Sequence, residues 1–238
     1  MKADIWTVIT AAGKSDDLFL QSGFSVPKSL VEWQGKSVIS RAIESYAFDQ
    51  TKTVVAANAD ECASWPVEEE VRLGYPGVDV RRVPSLARGA LATAVIALDR
   101  VPTEAGLLVA AGDSQVDGGI QTIVEDWSRS EVDGGVVVFR SDKSRYSYAR
   151  IGENQTVSLV AEKAVVSDFA TVGAFYFRRV ELFLQAATWC FVNHADLNGQ
   201  FYCSSALNFL IMGGQNVVAQ EVDPNKYRSF SLPADFSR

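Results

Sequence analysis

Histidine is nearly absent from this chain of 238 residues, where His194 stands alone. No G-x-S-x-G segment accompanies it, so a Ser-His-Asp hydrolase lacks support, and His194 reads as a loop residue rather than a general base. Cysteine is scarce. Cys62, Cys190 and Cys203 are odd in number and widely spaced, with no C-x-x-C and no Cys/His cluster. Neither a zinc site nor a disulfide framework is indicated, and a reducing compartment fits. Positive charge is thin: 22 Lys and Arg against 29 Asp and Glu leave a net charge of −7. No basic block exceeds a pair such as Arg81-Arg82 or Arg178-Arg179. A binder of phosphate backbones needs a clustered positive surface, so nucleic acid is not an expected partner. No apolar run reaches the length of a membrane span. Met1-Lys2-Ala3-Asp4 leads directly into a strand pattern, without a signal peptide's apolar region. We expect a cytoplasmic protein with no membrane partner. Internal repeats, low-complexity tracts and linkers are also missing.

What is present is ample apolar material, 47% hydrophobic against 21% charged, enough for a packed core. Ile5 to Ala11 is a β-branched run that stops at Gly13, as a buried strand followed by a loop does. Val38, Ile39, Ala42, Ile43 and Tyr46 recur at helical spacing. Thr53–Ala57, Val78–Val83, Leu107–Ala111 and Gly135–Phe139 read as further strands. Helices are expected from Leu91 to Val101, ended by Pro102, and from Ile120 to Trp127. This alternation implies a parallel sheet with helices on both faces. The pattern then changes. Tyr148–Ile151 and Val157–Ala161 flank the turn Gly152–Gln155, a hairpin signal. A strand at Val172–Phe177, helices at Val180–Phe191 and Ser204–Ile211, a Gly213-Gly214 cap and a strand at Val217–Val222 follow. The reading is one α/β domain over residues 1–238 with a mixed sheet.

The chemistry concentrates at strand ends. Leu107–Ala111 runs into Gly112-Asp113, with Asp117 four residues on. A carboxylate at the mouth of a buried strand is how α/β proteins hold Mg²⁺ against nucleotide phosphates, although a turn-forming Asp is the plain alternative. The first strand ends in Ala11-Ala12-Gly13-Lys14, small residues that let backbone N–H groups approach a phosphate or a base edge; Gly13 could equally just end the strand. Gly13-Lys14-Ser15 is not a P-loop, because Val8 stands where the first glycine is required. Pro27 fixes the backbone before Lys28, which then presents a defined ammonium unless it is an ordinary surface lysine. Arg88-Gly89-Ala90 precedes a helix, where Gly89 could admit a base or ribose or form a simple turn. Glu162-Lys163 follows the hairpin, and Asn198–Tyr202 (NGQFY) suits a hydroxyl-rich ligand.

These pieces, in this order, resemble the sugar-phosphate nucleotidyltransferase family and are similar to its branch from capsule and surface-polysaccharide loci. Gly23–Leu30 (GFSVPKSL) is similar to the family's G-[YF]-x-x-P-K-P-L, and Gly35–Ile39 to G-K-P-M-I. Arg88 to Ala97 resembles the segment that borders the base, Asp168–Phe177 the S-D-x-A-x-x-G-x-Y-x-F strand, and Pro233–Phe236 the closing G-T-P-E-D segment. The resemblance implies a Rossmann-like, three-layer αβα, GT-A-type fold with a mixed, mostly parallel central sheet. It implies a nucleotide-binding part over 1–140 and an acceptor-binding part over 141–238. It also implies an Mg²⁺-dependent transfer in which a substrate phosphate attacks the α-phosphorus of an NTP and pyrophosphate leaves, serving surface-glycan precursor synthesis. On this reading Lys28 and Asp113 are catalytic, with Asp113 the metal ligand. Ala11, Ala12, Gly13, Lys14, Arg88 and Gly89 hold the nucleotide, for which the branch favours CTP or another pyrimidine. Glu162, Lys163, Gly173, Asn198 and Gln200 hold the acceptor.

The chain also departs from the pattern. Where the family's G-x-G-[ST]-R carries a triphosphate-gripping arginine, this sequence has Asp16-Asp17, and Lys14 lacks an arginine's bidentate fork. No acid stands in Arg228–Pro233 where many members place a second metal ligand, which leaves Asp117 or Asp223 to serve. Gln200 replaces a glutamate. These departures keep a second reading open, a non-enzymatic binder of nucleotide or sugar phosphate. A GT-A glycosyltransferase would want D-x-D, whereas Asp113 is followed by Ser114-Gln115. If Asp16 and Asp17 oppose the triphosphate, Asp17→Arg tightens NTP binding in calorimetric titration, and the gain shrinks at high salt; an unchanged dissociation constant places this loop away from the phosphates.

Overall fold

The apolar strand runs stack side by side because each is buried on both faces. The computed structural model describes residues 4–13, 16–130 and 132–236. The first elements are β1 (Ile5–Ala11), α1 (Asp16–Gln21), β2 (Glu32–Trp33), β3 (Lys36–Ser37), α2 (Val38–Tyr46) and β4 (Thr53–Asn58). There follow α3 (Ala59–Ser64), α4 (Val67–Gly74), β5 (Asp79–Val83), α5 (Ala90–Ala97), β6 (Gly106–Ala111), β7 (Ser114–Val116) and α6 (Gln121–Arg129). The rest comprises β8 (Gly134–Arg140), β9 (Tyr148–Ile151), β10 (Val157–Ala161), β11 (Phe169–Phe177), α7 (Val180–Val192), α8 (Cys203–Met212), β12 (Val217–Glu221) and β13 (Tyr227–Ser229).

One nine-stranded sheet carries the order β10-β9-β11-β6-β1-β4-β5, with β8 pairing β11 and β12. β1 runs parallel to β4 and β6, β4 to β5, and β8 to β12. β11 is antiparallel to β6, β8 and β9, and β10 to β9. Hence β1, β4, β5, β6, β8, β9 and β12 point one way, and β10 and β11 the other. The sheet is mixed and mostly parallel, and it takes strands from both sides of residue 140.

Alternate residues of each strand feed opposite faces. Val8, Val54, Leu107 and Val109 pack under Leu91 and Ala94 of α5, Phe183 and Ala186 of α7, and Leu207 and Leu210 of α8. Ile9, Val55, Leu108 and Ala110 pack under Ile39, Ile43 and Tyr46 of α2, Val67 and Val71 of α4, and Val124 and Trp127 of α6. The result is the expected three-layer αβα fold. Ser37 starts α2 by accepting the Ser40 N–H at 3.3 Å. No helix among the described residues is long and apolar enough to cross a membrane.

Besides the short elements α1, β2, β3 and β7, for which the sequence reading assigned nothing, the structure differs from that reading as follows. α5 ends at Ala97, and single turns continue through Leu98 to Val101 before Pro102. α3 and α4, which the periodicity left unassigned, fold on either side of Trp65-Pro66; α4 buries little beyond Val67, Glu68 and Val71. β13 returns to pair β7, a long-range contact with no local signature.

Gly135 of β8 lets the Trp127 indole lie flat on the sheet, because a Cβ there would stand 2.5 Å from the ring. An aromatic ring wedged between a helix and a strand cannot swing aside as a flexible chain end would. Gly135→Ala is expected to cost about 1–3 kcal/mol, the usual penalty for overpacking a core, read as a lowered urea midpoint with an unchanged slope.

Candidate active site

The parallel register brings three strand ends to one edge of the sheet. Ala11 of β1 pairs Ala57 of β4, and Thr10 pairs Ala111 of β6. The segments leaving these strands, Ala12-Gly13, Asn58 and Gly112-Asp113, therefore start side by side at the carboxyl edge, where open α/β sheets bind ligands. A cavity of about 630 Å³ opens there.

Lys28 and Asp113 meet on its floor. Lys28 opens a short 3-10 turn, Lys28–Leu30, behind Pro27, and its Nζ lies 2.7 Å from Asp113 Oδ2. Both side chains stay partly solvent-accessible, at 20% and 26%, so the pair is reachable by a ligand. Beneath it, Tyr46 Oη and Ser114 Oγ lie 2.7 Å apart, and Ser114 Oγ donates to the Val172 carbonyl at 3.2 Å. Burial pushes the Tyr46 phenol well above its ordinary value, so it stays neutral under the site.

The side of the cavity expected to take the nucleotide is lined by Ala11, Ala12, Gly13, Ser85, Ala87, Gly89 and Thr93. Asn58 ties this wall together. Its Nδ2 donates to the Ala12 carbonyl at 3.2 Å, while its Oδ1 accepts from Asp60 N, Glu61 N and Ser85 Oγ. The buried Glu61 also lines the cavity and accepts from Ser29 Oγ at 3.3 Å. Lys14 lies outside the described residues, as do the side chains of Asp16 and Asp17.

The opposite arm is rich in hydroxyls: Tyr146, Ser147, Thr171, Tyr202, Ser204, Tyr227, Ser229 and Ser231. Within it, Glu162 receives Ser147 Oγ and Ser204 Oγ, both on Oε2. The Cys203 thiol beside it is pushed up, chiefly by burial and further by the Glu162 charge. Gly173, at a positive φ of 82°, and Gln200 also line the cavity.

Three of the residues expected in the site stand just behind its wall. Lys163 is exposed, its Nζ donating to Tyr202 Oη at 3.2 Å. Arg88 donates from Nε to the Gly199 carbonyl at 2.8 Å and lies over the Phe201 ring. Asn198 is an exposed residue of the same turn. That turn is stitched to the nucleotide side, since Phe201 N donates to Arg88 O at 2.9 Å and Leu91 N to Phe201 O at 3.1 Å. Gly89 permits the stitch: its φ is 92°, and a Cβ would collide with the Phe201 backbone.

Asp117 and Asp223 do not line the cavity. Asp117 accepts from Gln115, and Asp223 caps Asn225. Among the described residues no group of three or more His, Cys, Asp and Glu is arranged to hold a metal. Asn58, Glu61, Arg145, Ser147 and Ser204 were not singled out by sequence reasoning; Asn58, which ends β4 and caps α3 just before its acidic first turn, carried a readable capping signal. Asn58→Ala removes the acceptor of Asp60 N, Glu61 N and Ser85 Oγ and the donor to the Ala12 carbonyl at once. The expected cost is about 1–3 kcal/mol in a denaturant titration, with NTP binding weakened in parallel.

Residues 7–179 match the model of the MobA-like NTP transferase domain. No curated protein matches the sequence. Among solved structures, the chain is similar to a nucleoside-diphosphate-sugar pyrophosphorylase from Vibrio cholerae RC9, with 20% identity, 98% of each chain covered and a TM-score of 0.79. It is similar as well to a UDP-glucose pyrophosphorylase complexed with UDP-glucose, with 12% identity over 98% of this chain and 96% of that one, and a TM-score of 0.75. At these identities the likeness is one of fold. The family match spans most of the sheet and the whole Lys28–Asp113 floor, and on it the chain belongs to the MobA-like NTP transferase family.

Proposed function

We propose that the chain transfers a nucleotidyl group from an NTP to a phosphorylated small acceptor of the sugar-phosphate type, releasing pyrophosphate. The observation that carries this reading is the Lys28–Asp113 pair, 2.7 Å across, set between a wall of small residues and an arm of hydroxyls. The acceptor phosphate oxygen attacks the α-phosphorus, a new P–O bond forms in line, and the bond to the β-phosphate oxygen breaks. Catalysis of this kind rests on positioning and charge neutralisation. Backbone N–H groups of Ala12 and Gly13 hold the nucleotide, with Ala11, Arg88 and Gly89 shaping the base side. Lys28 neutralises charge developing at the α-phosphate. Glu162, through its Oε1, accepts from an acceptor hydroxyl, Gly173 and Gln200 shape the same arm, and Lys163 and Asn198 support that arm from behind, Lys163 through its hydrogen bond to Tyr202.

Mg²⁺ fits the donor set. Asp113 is a single hard carboxylate in a cavity open to phosphate oxygens, the arrangement in which Mg²⁺ takes one or two protein ligands and completes its shell with substrate and water. When bound, the ion supplies charge neutralisation on the triphosphate. The hydroxyl-rich arm supports a polyol phosphate as acceptor, and the resemblance to surface-polysaccharide loci supports a role in glycan precursor synthesis with a pyrimidine nucleotide, CTP, as donor.

Calorimetric titration with each common NTP, with and without Mg²⁺, is expected to give one Mg²⁺-dependent binder. That NTP, offered with a panel of sugar phosphates, releases pyrophosphate, and Lys28→Ala or Asp113→Asn lowers turnover by about 10²–10³-fold, as loss of one transition-state charge partner does. Binding without turnover across the panel would favour the non-enzymatic binder, and no binding of any NTP would sink the transferase and leave a binder of sugar phosphate.

A further inference from the structure

The 3-10 turn Pro233–Phe236 lies beyond the residues that match the family model, and none of the roles above uses it. Two adjacent side chains of this turn reach different neighbours: Asp235 meets Arg145, which lines the cavity, and Phe236 joins an aromatic cluster outside the lining. Asp235 takes Arg145 Nη1 on both oxygens, at 2.9 and 3.1 Å, and is only 15% exposed. Arg145 in turn donates from Nη2 to Tyr146 Oη at 2.6 Å and lies over the Tyr146 ring. Arg145 Nε is buried without a partner, so the guanidinium is oriented by its two terminal nitrogens alone. Arg145 and Tyr146 both line the acceptor arm.

Phe236 points the other way. Its ring centroid lies 5.8 Å from Phe19, 5.4 Å from Phe24, 5.4 Å from Phe230 and 6.5 Å from Trp33. Phe19, fully buried, belongs to α1, and Phe24 precedes Pro27-Lys28 by three positions. Both lie in the sequence between Gly13 and Lys28, two residues that line the cavity. Phe230 N donates to the Asp113 carbonyl at 2.7 Å, which anchors the start of the strap to the floor.

We propose that Asp235 and Phe236 are positioning residues, and that their turn is a strap coupling the nucleotide side of the cavity to the Arg145–Tyr146 wall of the acceptor arm. The coupling rests on the transferase reading only in taking a nucleotide as the first ligand. Its physical basis is adjacency. The two side chains share one short turn, and Asp235 Oδ2 also accepts Leu232 N at 3.0 Å, which makes the turn a rigid unit. A shift of the Phe19–Phe24 segment therefore reaches Arg145 through one peptide unit, with no long chain of intermediate contacts.

Amide hydrogen exchange on the whole chain tests this, using wild type, Asp235→Asn, Asp235→Glu and Phe236→Leu. In wild type a saturating NTP is expected to slow exchange across residues 143–148 by about fivefold or more, the lower end of ordinary coupling between sites. Asp235→Asn loses that slowing while keeping the NTP dissociation constant, and Asp235→Glu restores part of it. In a turnover assay Asp235→Asn raises KM for the acceptor, while the NTP dissociation constant measured without acceptor is unchanged, a split that general destabilisation would not produce. Without ligand, Phe236→Leu speeds exchange at 18–24 and at 143–148 together. Retained slowing in Asp235→Asn, or a Phe236→Leu effect confined to 18–24, overturns the strap. If no NTP binds wild type, the transferase reading fails, and the ligand-free comparison decides the strap by itself.

Discussion

The parallel register of β1 with β4 and β6 is the constraint on which the rest depends. Because Ala11, Asn58 and Ala111 end neighbouring strands within a residue of one another in register, the backbone leaves the sheet three times side by side. Each departure delivers one component: a loop of small residues, the Asn58 bracket, and the Asp113 carboxylate. A slip of one residue in either pairing would turn the alternating apolar residues toward the wrong layer, so the cores above and below the sheet enforce the alignment of the site. Packing and function are in this sense specified by the same residues.

On that frame the site is assembled from two halves of different chemistry. One half, assigned to the nucleotide in the proposal, offers little side-chain bulk and presents backbone groups held by Asn58. The acceptor half offers many hydroxyls, with Glu162 fixed by Ser147 and Ser204 on one oxygen and left open on the other. Between them Lys28 and Asp113 cancel each other's charge. A floor with no net charge would suit the proposed reaction, in which an anionic substrate would bring its own divalent cation and the lysine would gain a phosphate as the carboxylate gained the cation.

Much of this was readable from local pattern. The β-branched run into Gly13, the apolar run into Gly112-Asp113 and the hairpin around Gly152–Gln155 carry their signals within a few residues, and each forms where expected. α3 and α4 were not readable, because Glu68, Glu69 and Glu70 dilute an apolar stripe that needs little more than Val67 and Val71. The site's outer parts were legible only as motif resemblance. Lys163 and Asn198 stand behind the wall rather than in it, and Arg145 with Asp235 went unnoticed. Partners separated by ninety positions leave no spacing for the eye to find.

The stitch between the Arg88–Leu91 loop and the turn around Phe201 carries a consequence for anyone redesigning this chain. Gly89 and the Phe201 backbone touch so closely that neither loop has an independent shape. The parts that would select base and acceptor are thus one inherited unit rather than two interchangeable modules. Exchanging donor preference by grafting a foreign loop at Arg88 would carry the acceptor turn along with it, and a library built to vary one specificity must diversify both segments together.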